Sequence, residues 1–227
     1  MGVNKLWPGC DQAVADIPAG ATIMFGGFTG VGVPSRLIEA LHRLGVRGLS
    51  AIMNDCSGGW RSGQTDVSRL VAAGQVRKVV ASYPVPGSPT RQSAFEELHQ
   101  RGLIELELVP QGSLAERIRA GGAGIAAFYT PTGAGTLLAQ GKETRTFGGR
   151  EHVLEHALTA DFALVRAYRA DRLGNLVYRR AARNFNPAIA TAGRVTIAEV
   201  DEIVEPGALD PEAIVTPGIY VDRIVAR

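Results

Sequence analysis

A chain of 227 residues suffices for one large α/β domain or two small ones, and 45% hydrophobic with 20% charged residues is the make-up of an ordinary folded protein. A formal net charge of +2, without dense basic stripes or interleaved aromatics, argues against a nucleic-acid binder. Cys10 and Cys56 form no Cys-x-x-Cys pairing, which excludes a disulfide scaffold and points to a reducing compartment.

Along the chain, short β-type runs alternate with helical segments. Residues 21–25 read as a strand. Residues 34–44 carry Leu37, Ile38, Leu41 and Leu44 at helical spacing. Residues 49–53 form a second strand, followed by a polar, glycine-rich loop over 56–64. A helix is expected over 66–73, a strand over 76–82, and a proline-bearing loop over 83–90. A helix over 91–101, a strand over 103–109 and a helix over 113–119 follow. Ser113 and Glu116 have the spacing of a capping box. Strands alternating with helices of about ten residues imply βαβ units and a mainly parallel open sheet flanked by helices.

The second half changes character. Glycines at 121, 122 and 124 and at 133 and 135 frame an apolar stretch, 125–129. Residues 142–155 read as a hairpin turning at Gly148-Gly149. Residues 161–168 form a buried-strand run, Gly174-Asn175 breaks it from 176–178, and strands over 194–200 and 218–225 close the chain. With no linker and no internal repeat, residues 1–227 are expected to form one α/β domain with hairpin additions in the second half.

The stretch 22–35 carries the most chemistry. A strand stops at Gly26-Gly27, further glycines stand at 30 and 32, and Pro34 opens a helical segment. A strand, a glycine loop and a helix N-terminus together can turn backbone N–H groups toward an anion. From Gly30 the pattern is Gly-x-Gly-x-x-Ser, so the dinucleotide fingerprint is incomplete, and no Gly-x-x-x-x-Gly-Lys-Ser/Thr loop occurs. His152 and His156 stand four apart without the His-Glu-x-x-His order or further ligands nearby, so no metal site is expected. No apolar run approaches the ~18 residues of a membrane span, and the N-terminus lacks a signal-peptide core. A cytoplasmic protein is expected.

Several stretches together resemble one family. Gly26-Gly27-Phe28-Thr29-Gly30-Val31-Gly32-Val33-Pro34 is similar to the Gly-Gly-Phe-x-x-x-Gly-x-Pro signature of the alpha (A) subunit of family I CoA-transferases, the succinyl-CoA:3-oxoacid and 3-oxoadipate group. Further collinear matches are 109–119, with Pro110-Gln111-Gly112; 121–135; 141–145; 182–187, with Asn184-Phe185-Asn186-Pro187; and 216–221. The departures lie in 53–75, where Met53-Asn54-Asp55-Cys56 stands in place of Ser-Asn-Asn, and in the proline loop 84–89.

The resemblance implies a reaction that moves CoA between carboxylates through a glutamyl-CoA thioester, with a CoA thioester as substrate and no tightly bound cofactor. It places the nucleophilic glutamate in a Glu-Asn-Gly loop of a beta subunit, in an α2β2 assembly. No glutamate here is followed by Asn-Gly; Glu205-Pro206-Gly207 is the nearest. This chain is therefore expected to need a partner. Gln111 matches the position whose amide is an oxyanion-hole donor in the family. The residues alone agree, since an amide follows a strand at a helix start, although capping of the helix at 113 is the alternative.

Gly26, Gly27, Phe28 and Gly30 would approach CoA or line the acyl pocket, or else form a turn packed on the partner. Asn54 would order that pocket or bond its own turn. Arg166, Arg169, Arg172, Arg179, Arg180 and Arg183 would meet anionic substrate, or lie at the surface or a subunit contact. The alternatives in function are an acetate- or butyrate-type transferase or acyl-CoA hydrolase subunit, and a non-catalytic effector-binding module.

Overall fold

The computed structural model describes residues 4–56, 65–86 and 92–227. It begins with a short helix, α1 (Cys10–Val14), which the periodicity does not announce. Strand and helix then alternate: β1 (Thr22–Phe25), α2 (Ser35–Leu44), β2 (Leu49–Ile52), α3 (Ser68–Ala72), β3 (Val76–Ala81), α4 (Ala94–Gln100), β4 (Glu105–Leu108) and α5 (Gln111–Gly122). The second half holds β5 (Ala127–Thr130), β6 (Thr144–Phe147), β7 (Arg150–His156), β8 (Ala160–Asp171), β9 (Leu176–Val177), α6 (Asn186–Ala192), β10 (Gly193–Val204) and β11 (Arg223–Ala226).

The main sheet has the order β11-β10-β8-β1-β2-β3-β4, with β9 added antiparallel to β8 and every other neighbour parallel. Such a sheet must be covered on both faces, and the alternation of its strands shows how. Ile23 and Phe25 join one core with Leu37, Leu41, Leu70 and Phe95 from α2, α3 and α4. Met24, between them, joins the opposite core with Leu114, Ile118 and Ile189 from α5 and α6. Successive side chains of a strand point to opposite faces, so one short apolar run serves both layers. The expected hairpin is present: β6 and β7 pair antiparallel around Gly148 and Gly149, and β5 completes a separate three-stranded sheet of order β5-β7-β6.

Two local expectations are corrected. Ser113 is not an N-cap: α5 starts at Gln111, behind Pro110, and the Ser113 hydroxyl lies buried within the helix without a hydrogen-bond partner. Pro110 turns the chain straight out of β4, and its carbonyl already accepts from Leu114 N at 2.8 Å, so the helix begins earlier. The capping box stands instead at Ser93 and Glu96, where Ser93 N donates to Glu96 Oε2 at 2.8 Å and Glu96 N to Ser93 Oγ at 3.2 Å. The last strand starts at Arg223 rather than 218, because Gly218–Tyr220 is a 3-10 turn tied by Gly218 N to Asn175 Oδ1 at 2.8 Å. The expectations for 57–64, for 87–89 of the proline loop, and for a helix start at Arg91 lie outside the described residues.

Candidate functional site

In a parallel sheet flanked by helices, the loops after the strand carboxyl ends form the natural binding crevice. Here the loops after β1, β2 and β3 and the start of α5 after β4 meet at that end. After β1, Gly26 N donates to Leu164 O at 2.9 Å, and Gly27 turns the chain at φ 114°. Phe28 and Val31 then exchange both backbone hydrogen bonds, at 3.0 and 2.9 Å. Between them Thr29 and Gly30 have φ of 45° and 85°, the signature of a type I′ turn. Glycine enters that region freely, whereas threonine enters it at a cost in strain. An external tie holds Thr29: its N–H donates to Asp55 Oδ2 at 2.8 Å.

Asp55 follows Asn54 directly after β2, and Asn54 is buried at 2% exposure. The Asn54 amide donates through Nδ2 to Asp55 Oδ2 at 2.9 Å. Its Oδ1 accepts from Ser82 Oγ, at the end of β3, at 2.6 Å, and from Gln111 Nε2 at 2.8 Å. Gln111 therefore does not cap its helix; it is the first helical residue, and its amide reaches across to Asn54. Gln111, Asn54 and the glycine loop, singled out separately in the sequence, are links of one hydrogen-bond chain. Around it Phe28, Val31 and Tyr83 leave large apolar side chains 38%, 42% and 47% exposed at the same end of the sheet.

The Coenzyme A transferase family model matches residues 9–227. The chain belongs to the CoA-transferase family. It is 53% identical over 227 residues to the A-type subunit of the 3-oxoadipate CoA-transferase of Pseudomonas putida, covering 99% of this chain and 94% of that one. It is 52% identical over 223 residues to the A-type subunit of the succinyl-CoA:3-ketoacid coenzyme A transferase of Xanthomonas campestris pv. campestris (strain B100), covering 97% and 88%. Among solved structures, glutaconate coenzyme A-transferase from Acidaminococcus fermentans superposes with a TM-score of 0.84 over 98% of this chain and 75% of that one. Its sequence identity is 20%, so that likeness concerns the fold.

In this CoA-transferase chain the glycine loop is not an open phosphate cradle at the start of α2. The helix N-terminus already faces a carboxyl group of its own protein: Glu199 of β10, fully buried, accepts from Arg36 N at 2.8 Å and Leu37 N at 3.2 Å through Oε2. Burial pushes the Glu199 carboxyl above the usual glutamate range, against the two helix N–H groups and the Arg227 and Arg166 cations. Its Oε1 has no hydrogen-bond partner, although Arg227 Nε stands 3.4 Å away. On the β8 side of the loop, a cavity of about 490 Å³ is lined by Gly30–Gly32, Arg166, Tyr168, Arg179 and Arg180.

Half of the arginine cluster is tied to acids across β8 and β10. Arg166 meets Asp201 at 3.1 Å, Arg169 meets Glu202 at 2.6 Å, and Arg172 meets Glu205 at 2.8 Å. Arg179 lies over the Tyr168 ring at 5.2 Å. Asp55, Ser82 and Thr29 are the site-end residues that the sequence did not single out individually. The available signal for Asp55 and Ser82 was their place, one step past strands whose carboxyl ends bear the crevice. No helix among the described residues is long and apolar enough to cross a membrane.

Proposed function

We propose that this chain is the alpha subunit of a CoA-transferase that moves CoA from succinyl-CoA to a 3-oxoacid, 3-oxoadipate or acetoacetate, in a complex with a beta subunit. Relatives at 53% and 52% identity carry the names 3-oxoadipate and succinyl-CoA:3-ketoacid transferase, so both acceptors fall within the reading. Both relatives are named as one lettered subunit of their enzyme, which supports a second chain. We take that chain to supply the nucleophilic glutamate in an α2β2 assembly. The exposed Phe28, Val31 and Tyr83 give the partner apolar surface to cover at the site. The complex is read as a cytoplasmic enzyme without a tightly bound cofactor, with the CoA thioester as substrate.

The chemistry balances without any redox step. A carboxylate oxygen of the partner's glutamate attacks the thioester carbonyl carbon, and the carbonyl electron pair becomes an oxyanion. Collapse breaks the C–S bond, releasing CoA thiolate and leaving an acyl-glutamyl anhydride. The thiolate attacks the glutamyl carbonyl, the first acid leaves as its carboxylate, and glutamyl-CoA remains to load the second acid by the reverse steps. Each attack develops an oxyanion, and a preorganised donor there contributes about 3–4 kcal/mol.

The observation that carries the reading is the Gln111 amide. It sits at the N-terminus of the twelve-residue helix α5, is held by buried Asn54, and stands beside the glycine loop at the carboxyl end of the sheet. In this reading Gln111 is the oxyanion-hole donor, Gly26, Gly27, Phe28 and Gly30 shape the acyl and CoA pocket, and Asn54 orders it.

Co-expression with the partner chain followed by assay with succinyl-CoA and acetyl-CoA tests the proposal. Succinyl-CoA should donate to 3-oxoadipate or acetoacetate, and a borohydride-sensitive thioester should accumulate on the partner rather than on this chain. Transfer from acetyl-CoA alone, or a thioester on this chain, would reject it.

A further inference from the structure

A carboxylate can only accept hydrogen bonds, and this single property of Asp55 has consequences two residues away. Asp55 Oδ2 accepts from Asn54 Nδ2 at 2.9 Å, which turns the NH2 side of the Asn54 amide toward Asp55 and leaves Oδ1 facing Ser82 and Gln111. Asn54 thus offers Gln111 only an acceptor. Gln111 must present its own NH2 group, and it does so at 2.8 Å. Among the described residues one N–H of that group is used, and the other is available to a reacting oxygen. If Asn54 turned over, Gln111 would have to turn as well, exchanging its N–H and its carbonyl oxygen. The carbonyl would then stand where the donor stood, and it would repel an oxyanion. Because Asn54 is buried, a misturned amide would leave polar atoms unpaired.

The same carboxylate oxygen accepts from Thr29 N at 2.8 Å and holds that residue at φ 45°. One atom therefore registers the glycine loop against the Gln111 amide. We infer that Asp55 is a positioning residue of the transfer site: an obligatory acceptor that orients Asn54, and through it the Gln111 donor, while pinning the Thr29–Gly30 turn. This rests on the reading of Gln111 as oxyanion donor. The bonds from Asn54 and Thr29 require an acceptor at that point. Asparagine can place its Oδ1 where Oδ2 now stands and accept both bonds, whereas glutamate carries the charge but displaces the acceptor by a methylene.

The test uses the complete two-chain complex with Asp55→Asn, Asp55→Glu, Asp55→Ala, Gln111→Ala and the Asp55→Ala/Gln111→Ala double variant. Asp55→Asn should keep kcat within about threefold, while Asp55→Glu and Asp55→Ala should lower it by about 10- to 100-fold with a much smaller change in KM. In the Gln111→Ala background, Asp55→Ala should lower kcat by a clearly smaller factor than in the parent, because the donor it orients is already gone and only the turn is released. A purely structural role would lower kcat by the same factor in both backgrounds. Full activity in Asp55→Ala beside a crippled Gln111→Ala, equal penalties in both backgrounds, or an active Glu variant beside an inactive Asn variant would each overturn the inference. Should Asp55→Ala fail to assemble, the Asn and Glu variants still decide between placement and charge. Unchanged turnover in Gln111→Ala would instead reject the oxyanion reading on which it rests.

Discussion

Asn186 Oδ1 occupies the space that a side chain at Gly26 would need, 1.8 Å from where a β-carbon would lie. The same fully buried amide accepts from Arg166 N at 2.9 Å and donates to Gly32 O at 3.0 Å, so it fastens the Gly32 arm of the glycine loop to β8. Gly26 is a glycine because α6 sends an amide into the loop. Whatever the loop offers a substrate, it offers through its backbone and through the Phe28–Val31 turn.

Gly26→Ala must therefore displace Asn186 and unpair the partly buried Arg166 N–H. A loss on the order of 1–3 kcal/mol is expected, read by denaturant unfolding. Asn186→Ala alone should also destabilise, through its lost hydrogen bonds. The double variant should cost clearly less than the two losses combined, since each change removes the conflict created by the other. Additive losses would show that the two residues do not share that space.

Gln111→Ala should lower kcat of the reconstituted transferase by about 10²–10³, the usual loss for one oxyanion donor. Assembly of the complex, followed by size-exclusion chromatography, should be unchanged, since the Gln111 side chain is exposed and among the described residues bonds only to Asn54. A change confined to KM would place Gln111 in substrate binding rather than in the transition state.

Glu107, on the edge strand β4, joins the two sheets electrostatically. It bonds Lys78 at 2.9 Å and Arg117 at 2.7 Å, while Arg117 Nε donates to His156 O of β7 at 2.7 Å. Burial by itself would raise the Glu107 carboxyl, but the hydrogen bonds from Lys78 and Arg117 outweigh it and hold the group below the usual glutamate range. A depressed folded value means stability that is present above the unfolded value and lost as pH falls through the folded one. Glu107→Gln should consequently be less stable than the parent at pH 7, and the gap should close between about pH 5 and pH 3. A constant gap in urea midpoints across that range would refute the linkage.

Glu199 should show the opposite dependence. Its folded value is raised by burial, so its contribution is present below the unfolded glutamate value and lost as pH rises through the folded one. Glu199→Gln retains an acceptor for Arg36 N and Leu37 N without burying a charge. Its stability relative to the parent should improve as pH rises above the ordinary glutamate range. Glu199→Ala should be destabilised by roughly 1–2 kcal/mol at acid pH, because it leaves the α2 N-terminus without its acceptor, and that deficit should shrink as pH rises. A relative stability for Glu199→Gln that does not move with pH would show that the carboxyl titrates alike in both states.

Alternating strand and helix signals were legible because they are local. Apolar residues at a spacing of 3.6 or 2 mark the faces to be buried, and glycine and proline mark the breaks, so the order of elements from β1 to β4 and the hairpin at Gly148-Gly149 follow from neighbours along the chain. The long collinear resemblance carried the family in the same way. Local signals failed where a distant contact decided the outcome. Ser113 had the right partner three residues on, but Pro110, leaving β4, started the helix first.

The partnerships of the site were beyond any such reading. Gln111 bonds a residue 57 positions away, Thr29 one 26 away, and Arg36 one 163 away. These pairs exist because the sheet order sets β1 between β8 and β2, with β2 beside β3, bringing loops from both halves of the chain to one end. Sequence spacing encodes which face of an element seeks the core. Which loop then meets which is decided by strand order and register, and these emerge only when all the faces are packed at once.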